Sequence, residues 1–411
     1  MIDFSDPRFL QDPYPTLNEV REATPIFHGA ENGPGGEGIW FLTRYDDVAK
    51  AQRDRRLGRV TEPVLTREEA GLPPLREDWG PYYAVEQWSL LMLEGADHNR
   101  MRRLISREFT PRRIQGLRPK ISAHADRFLE AARAKGEFDL LEDYAQPYSV
   151  HVIAELLGAP TEDWRLMLDW SHRIVKMYEL GTSEEQAADA VAASAEFDAW
   201  CRELIALRRA EPGDDLITGL CTVETEDGRL SVEEIVSTMV LLLNAGHEAT
   251  VNTLGNGVTA LLQNPDQWRR VVGGEVEPAI AVEEMIRYDP PLQLFERWVL
   301  ADGFEIAGKD IPKGQKIGML FGSANRDPRH FDAPDVFDIG RGDNSHITFG
   351  GGIHFCIGAP LARLEVEVAL ERLLAWCPDL ELTAAPRRHP AFVIHGYESV
   401  EVGTDQSATP E

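Results

Sequence analysis

Cys356 is the residue whose surroundings most narrow what this chain can do. It lies in the string HITFGGGIHFCIGAPLARLEVEVALERLL, from His346 to Leu374. From Ala359 onward the string has helical periodicity, with Leu361, Leu364, Val368 and Leu373 among the apolar positions. A thiol just ahead of a helix faces N–H groups and the positive end of the dipole, which lower its pKa and favour thiolate. Gly350, Gly351 and Gly352 let the backbone turn tightly and approach something flat and bulky, and Phe349 can pack beside it. No second Cys or His stands at metal-chelate spacing, so the pattern suggests a single axial ligand. Haem iron accepts one protein ligand because the porphyrin supplies the other four. The plain alternative is a small buried hydrophobe, which is what most cysteines are.

A second reactive group is Ala245-Gly246-His247-Glu248-Ala249-Thr250. Glu248 can move protons, and Thr250 carries a hydroxyl two positions on. His247-Glu248 opens a zinc-protease helix pattern, but that pattern needs a second His at 251, where valine stands. A glycine inside a helix costs about 1 kcal/mol, so Gly246 needs a reason, such as close approach of a flat group or a local bend. Glu-x-x-Arg pairs begin at Glu130, Glu162, Glu226 and Glu284. Only Glu284-Met-Ile-Arg287 is followed at once by a helix stop, Tyr288-Asp289-Pro290-Pro291, and then by β signals.

The elements that must position these residues are mostly helices. Residues 98–290 read mainly helical, with three-and-four apolar spacing over 121–134 and 191–207. Ser231 and Glu234 form a capping-box pattern ahead of a proline-free run that lasts until Pro265. So long a helix, apolar in its first half, should run through the middle of the protein. Strand signals fall at 39–43, 296–300, 304–306 and 316–320. From Asn325 to His346 the chain reads as a long meander rich in Pro, Asp and Gly, leading directly to the cysteine loop. The expected class is mainly α with a small β-sheet region. The helix-rich parts are 98–290 and 357–377, and the β-rich parts are 38–60, 294–320 and 379–403. With no repeat or linker, residues 1–411 read as one compact unit.

Composition narrows the partners. Lys plus Arg number 42 against 69 Asp plus Glu, a formal net charge of −27, which repels phosphate backbones and anionic lipid. Nucleic acid and membrane are therefore not expected. No run approaches the roughly 18 apolar residues of a membrane span. The start, MIDFSDPRFLQDPYP, lacks the basic and apolar stretches of a signal peptide. Cysteines at 201, 221, 356 and 377 form no CxxC pair and suit a reducing compartment, so a cytoplasmic location is expected.

Phe349-x-x-Gly352-x-x-x-Cys356-x-Gly358 resembles the haem-binding loop of the cytochrome P-450 monooxygenases, and the likeness covers nearly the whole chain. The resemblance implies haem b between the long central helix and the cysteine-loop helix. It implies Cys356 as the iron ligand, pushing electron density toward O–O cleavage, with Phe349, Gly350, Gly358 and Ala245 against the cofactor. Glu284 and Arg287 match the family's structural pair that locks the meander. His98, Arg102, Arg297 and His354 match its partners for the haem propionates. Gly246, Glu248, Ala249 and Thr250 match the stretch over the oxygen site. Here the chain departs from its family. The usual acid is followed directly by Thr, whereas Ala249 follows Glu248 and Thr250 comes about 100° further round the helix. Proton delivery by ordered water or by a substrate hydroxyl is the reading adopted.

No Gly-rich dinucleotide fingerprint follows a strand, so electrons must come from a separate protein. The resemblance implies a ferredoxin with its ferredoxin reductase. Between His98 and Lys120 stand seven arginines and one lysine against the single acid Glu108, a candidate docking face that includes Arg103, Arg107 and Arg113. The substrate pocket, by analogy, draws on Tyr82, Tyr83 and Trp88 of the loop before His98, and on Leu242, Leu292, Leu294 and Ile394 within stretches 242–249, 292–295 and 393–395. These favour a hydrophobic small molecule. The expected activity is insertion of one oxygen atom of O2 by a monomeric enzyme. A peroxide-driven peroxygenase and a non-catalytic haem-thiolate gas sensor are the alternatives.

Overall fold

Ser231 starts the longest helix. Its Oγ accepts the Glu234 N–H at 3.2 Å, and Glu234 Oε2 accepts the Ser231 N–H at 2.8 Å, which closes a capping box. In this computed structural model, which describes residues 2–29, 38–62, 64–225 and 228–404, the helix runs Val232–Gln263. It passes through Gly246 without a break and stops just before Pro265. Its first half is buried on every side from Glu234 to Asn244, as a helix apolar all round must be. Around it pack the helices Gly80–Glu86, Gln146–Leu157, Trp164–Ile174, Pro278–Tyr288 and Ala359–Trp376.

The expected strands fall in one mixed sheet and a small hairpin. Ile39–Leu42 pairs antiparallel with Ile26–Gly29 and parallel with Lys316–Leu320, which pairs antiparallel with Leu294–Val299. Leu57–Gly58 adds to the far edge of Leu294–Val299. Phe304–Ile306 and Lys309–Ile311 make the hairpin. Ile26–Gly29 and Glu137–Asp139 carried no strand signal strong enough to be expected. The sheet has its own apolar clusters, separate from the large helical core that contains Leu243, Leu254 and Leu364. Among the described residues, no helix is long and apolar enough to cross a membrane.

Candidate active site

The meander is fixed before it reaches the cysteine. Glu284 and Arg287 form a two-pronged ion pair at 2.7 and 2.8 Å with neither side chain exposed. Arg287 then donates to the carbonyls of Asn325 at 2.8 Å and Pro334 at 3.0 Å. Glu284 accepts from the Asp338 N–H at 2.9 Å, from Arg341 Nε at 3.1 Å and from Asn344 at 3.1 Å. A buried charge pair survives only with its remaining donors and acceptors satisfied, and here the meander supplies them. Of the other Glu-x-x-Arg pairs, Glu226 lies outside the described residues, and Glu130 and Glu162 lie at the surface or near it.

The cysteine loop follows from this anchor. Gly350 and Gly352 adopt left-handed backbone, φ 73° and 69°, and a Cβ on Gly352 would stand 2.5 Å from the Gln52 carbonyl oxygen. The loop is therefore clamped against the end of the Tyr45–Arg53 helix. The Cys356 N–H donates to the Phe349 carbonyl at 2.9 Å, and the helix Ala359–Trp376 begins three residues later. The Phe349 ring is held by Arg363, 4.4 Å from its centroid, and Arg363 is fixed by Glu283 at 2.6 and 3.0 Å. Burial pushes the Cys356 thiol up from its ordinary value, and the N–H groups of Gly358 and Ala359, with Arg102 and Arg363, act against that rise. The helix terminus thus favours thiolate as expected, but burial outweighs it, so a cation at sulfur is what would hold the charge.

Cys356 opens on a cavity of about 970 Å³, roofed by Ala245, Gly246, Glu248, Ala249 and Thr250 of the central helix. Gly350 and Gly358 lie in the same wall as the cysteine. A Cβ on Gly246 would meet Ile153 Cδ1 at 2.9 Å. Packing against the Gln146–Leu157 helix, rather than a bend, is thus a reason for that glycine.

One edge of the cavity is cationic. Arg102, Arg297 and His354 line it, and so does Arg59, which sequence reasoning missed. Arg59 carried no motif; it arrives because Leu57–Gly58 pairs beside Leu294–Val299, which carries Arg297. Burial lowers Arg297 to about 10, with Arg59 adding to the fall and Glu94 opposing it. Buried Nε atoms of Arg59 and Arg297 have no partner. His354 Nε2 is 2.9 Å from Glu94 Oε1, another residue no motif flagged. His98 is not among the lining residues, but its ring lies beside that of His354, centroids 4.5 Å apart, with neither nitrogen partnered, and burial lowers it to about 4.

Over the central helix, burial and then Glu179 raise Glu248 to about 7. Its Oε1 lies 3.4 Å from His172 Nε2. Thr250 faces Glu365 on the cysteine-loop helix, whose carboxyl is raised far above the usual range by burial, with Thr250 and Ser149 opposing the rise. Tyr82, Tyr83, Leu242, Leu292, Leu294 and Ile394 all line the cavity. Trp88 does not; it packs against the helical core. His395 is likewise buried outside the wall, 3.8 Å from Asp289.

The residues suit haem. Unpaired arginine donors at one edge call for anionic acceptors such as propionates, and the sulfur of Cys356 stands in the wall facing the helix that carries Glu248. This is the arrangement of a haem-thiolate oxygenase.

Comparison with known proteins agrees. A sequence profile described as cytochrome P450 matches residues 279–378. The chain is 37% identical over 381 residues to the polyketide biosynthesis cytochrome P450 PksS of Bacillus subtilis (strain 168), covering 92% of this chain and 91% of the relative. It is 38% identical to the vitamin D(3) 25-hydroxylase of Pseudonocardia autotrophica, over 91% of this chain and 88% of that one. The crystal structure of P450BioI in complex with an acyl carrier protein ligated to hexadec-9Z-enoic acid superposes with a TM-score of 0.89. That match has 32% identity and covers 97% of this chain and 100% of the other. The chain belongs to the cytochrome P450 family. It is a haem b monooxygenase, which sets aside the gas-sensor alternative.

Proposed function

We propose that this enzyme, a single haem unit over residues 1–411, oxidises a hydrophobic small molecule with O2 and electrons from a ferredoxin and its reductase. The observation that carries the reading is Cys356 facing the Glu248 segment across a cavity whose near edge is cationic and whose remaining wall is largely apolar and aromatic. When bound, haem supplies the activation of dioxygen, one atom of which enters a C–H bond or double bond while the other leaves as water.

The residues divide the remaining work. Cys356 Sγ would hold the haem iron, with Phe349, Gly350 and Gly358 against the cofactor from the cysteine side and Ala245 from the central helix. Arg102, Arg297, Arg59, His354 and His98, whose ring adjoins that of His354, would hold the propionates. Glu284 and Arg287 keep the meander shut. Glu248, close to neutral pH in its affinity for protons, passes them toward the oxygen site beneath Gly246 and Ala249. Ordered water or a substrate hydroxyl completes the path that Ala249 cannot.

Substrate contacts come from Tyr82, Leu242, Leu292, Leu294 and Ile394. Relatives named for a polyketide pathway and for vitamin D(3), and one solved with a fatty acyl carrier protein, support a bulky or long apolar substrate. Part of the basic stretch proposed as the ferredoxin face is paired within the protein. Arg100 pairs with Glu234, Arg113 with Glu108 at 2.6 Å, Arg118 with Glu367 and Glu371, and Lys120 with Glu155. Arg107 and Arg112 are exposed on the stretch whose Arg102 donates to the Phe355 carbonyl at 2.7 Å, and the cysteine loop exposes Ile353 and Phe355. Charge around an apolar spot supports a docking site for an acidic partner.

The test is the ferric absorption spectrum of haem-loaded protein titrated with a panel of apolar compounds, followed by turnover with a ferredoxin system. A low- to high-spin change with one compound class, and product from that class, is expected. Product with peroxide and none with the ferredoxin system would replace this reading with the peroxygenase, which the alanine at 249 favours.

A further inference from the structure

The zinc pattern that fails along the central helix reappears across two helices. His172, on Trp164–Ile174, brings its ring to His247 and Glu248 of the central helix. One ligand atom from each of the three lies within 4.8 Å of the others. We propose that His172, His247 and Glu248 form a binding site for a borderline divalent cation of the Zn2+ class, with water as the fourth ligand.

Several observations converge. Two imidazoles and one carboxylate are a ligand set that zinc takes in sites that keep a water position. His172 Nε2 and Glu248 Oε1 are 3.4 Å apart. Two tetrahedral ligands with bonds of about 2.0–2.1 Å sit roughly 3.3 Å from each other, so this pair already has the spacing. His247 is fully buried, yet neither ring nitrogen has a partner, and Glu248 Oε1 is also buried without a hydrogen bond. Buried polar atoms of this kind ask for a ligand.

Electrostatics and access agree. Burial lowers His247 to about 3 and His172 to about 4, so both rings keep a free lone pair near neutral pH. The ionisable groups facing the cluster are Asp169, Lys176 and His389 at His172 and Glu179 at Glu248. Two acids against one lysine favour a cation. The His172 side chain is 42% exposed, which gives an ion a way in from solvent.

Occupation would have a consequence for turnover. A cation on Glu248 Oε1 withholds that carboxyl from proton delivery, so Zn2+ would lower the yield of product per O2. This consequence rests on the proton role proposed above; the binding itself does not.

The experiment is calorimetric titration of ZnCl2 into untagged, chelator-treated, haem-loaded protein, repeated with His172→Ala and Glu248→Gln. One tight equivalent is expected in the wild type, with affinity at least about 100-fold weaker in His172→Ala and weakened in Glu248→Gln. His172 is half-exposed, so its alanine variant should fold, and an unchanged ferric spectrum and melting temperature without metal would verify that. No stoichiometric uptake by the wild type, or undiminished uptake by His172→Ala, would overturn the site. Hydrogen peroxide release with and without Zn2+ is read separately. Binding that depends on His172 but leaves peroxide release unchanged upholds the cation site and removes Glu248 from proton delivery.

Discussion

Thr250 faces the carboxyl of Glu365, while Glu248, two residues earlier on the same helix, faces His172. Two helix positions are about 200° apart, so the acid and the hydroxyl serve opposite sides of the central helix. The hydroxyl that follows the acid in sequence therefore does not act with it.

Replacing Thr250 tests this. Thr250→Ala should leave the ratio of product to O2 consumed unchanged and cost about 1 kcal/mol of stability, because a buried carboxyl loses a hydroxyl neighbour. Ala249→Thr places a hydroxyl beside the acid, and with water or substrate already completing the path it should change coupling by less than about twofold. Peroxide yield and urea midpoints read both variants. A tenfold coupling gain in Ala249→Thr would mean that no substitute relay exists.

Glu248 gives stability a sign with pH. Its pKa is raised from 4.5 to about 7, so between these values the folded state binds more protons than the unfolded one. The contribution is complete below about 4.5 and is lost as pH rises through about 7. The upper bound on the loss is about 3 kcal/mol. Glu248→Gln should remove this component, flattening the stability difference between pH 5 and 8 relative to wild type. Parallel pH curves for the two proteins would show that Glu248 titrates normally.

The buried pair behind the cysteine loop should be intolerant of change. Arg287→Ala leaves Glu284 charged and enclosed and should cost about 3–5 kcal/mol, with loss of haem retention. Arg341→Ala, which removes an outer donor from the same carboxylate at a more exposed position, should cost clearly less. Denaturant midpoints and haem content after gel filtration give both numbers. Equal, small losses would deny the pair its role in holding the meander.

Docking should follow the exposed arginines rather than the count in the sequence. Changing Arg107 and Arg112 together to Glu should slow reduction by an acidic ferredoxin at least about tenfold at low salt, and the difference should shrink as salt rises. Arg113→Glu alone should mainly destabilise, because Arg113 already pairs with Glu108. Stopped-flow reduction rates decide; unchanged rates in the double variant would remove this face.

The most regular features were legible in the sequence. The Ser231 capping box and the absence of proline up to 265 give the central helix to within a residue or two. Alternation and turn residues locate Lys316–Leu320 and Phe304–Ile306, and the spacing around Cys356 locates the sulfur wall. What escaped depends on distant pairing. Arg59 and Glu94 reach the cationic edge through a two-residue strand and a histidine contact, and neither leaves a local pattern. Trp88 has the right residue type but packs, partly buried, against the helical core instead of lining the cavity. Part of the charge run from 98 to 120 is paired with acids on other helices, which no local pattern shows.

The clamp between Gly352 and the Gln52 carbonyl also bears on how the molecule is made. Gln52 and Arg59 leave the ribosome long before Cys356 does. The sheet repeats this separation, with Ile39–Leu42 waiting for Lys316–Leu320 as its parallel neighbour. Contacts so far apart in the chain form late and slowly. The cofactor pocket is thus completed only when a later-made segment closes on a much earlier one, and a nascent chain cannot capture its haem before Cys356 has emerged.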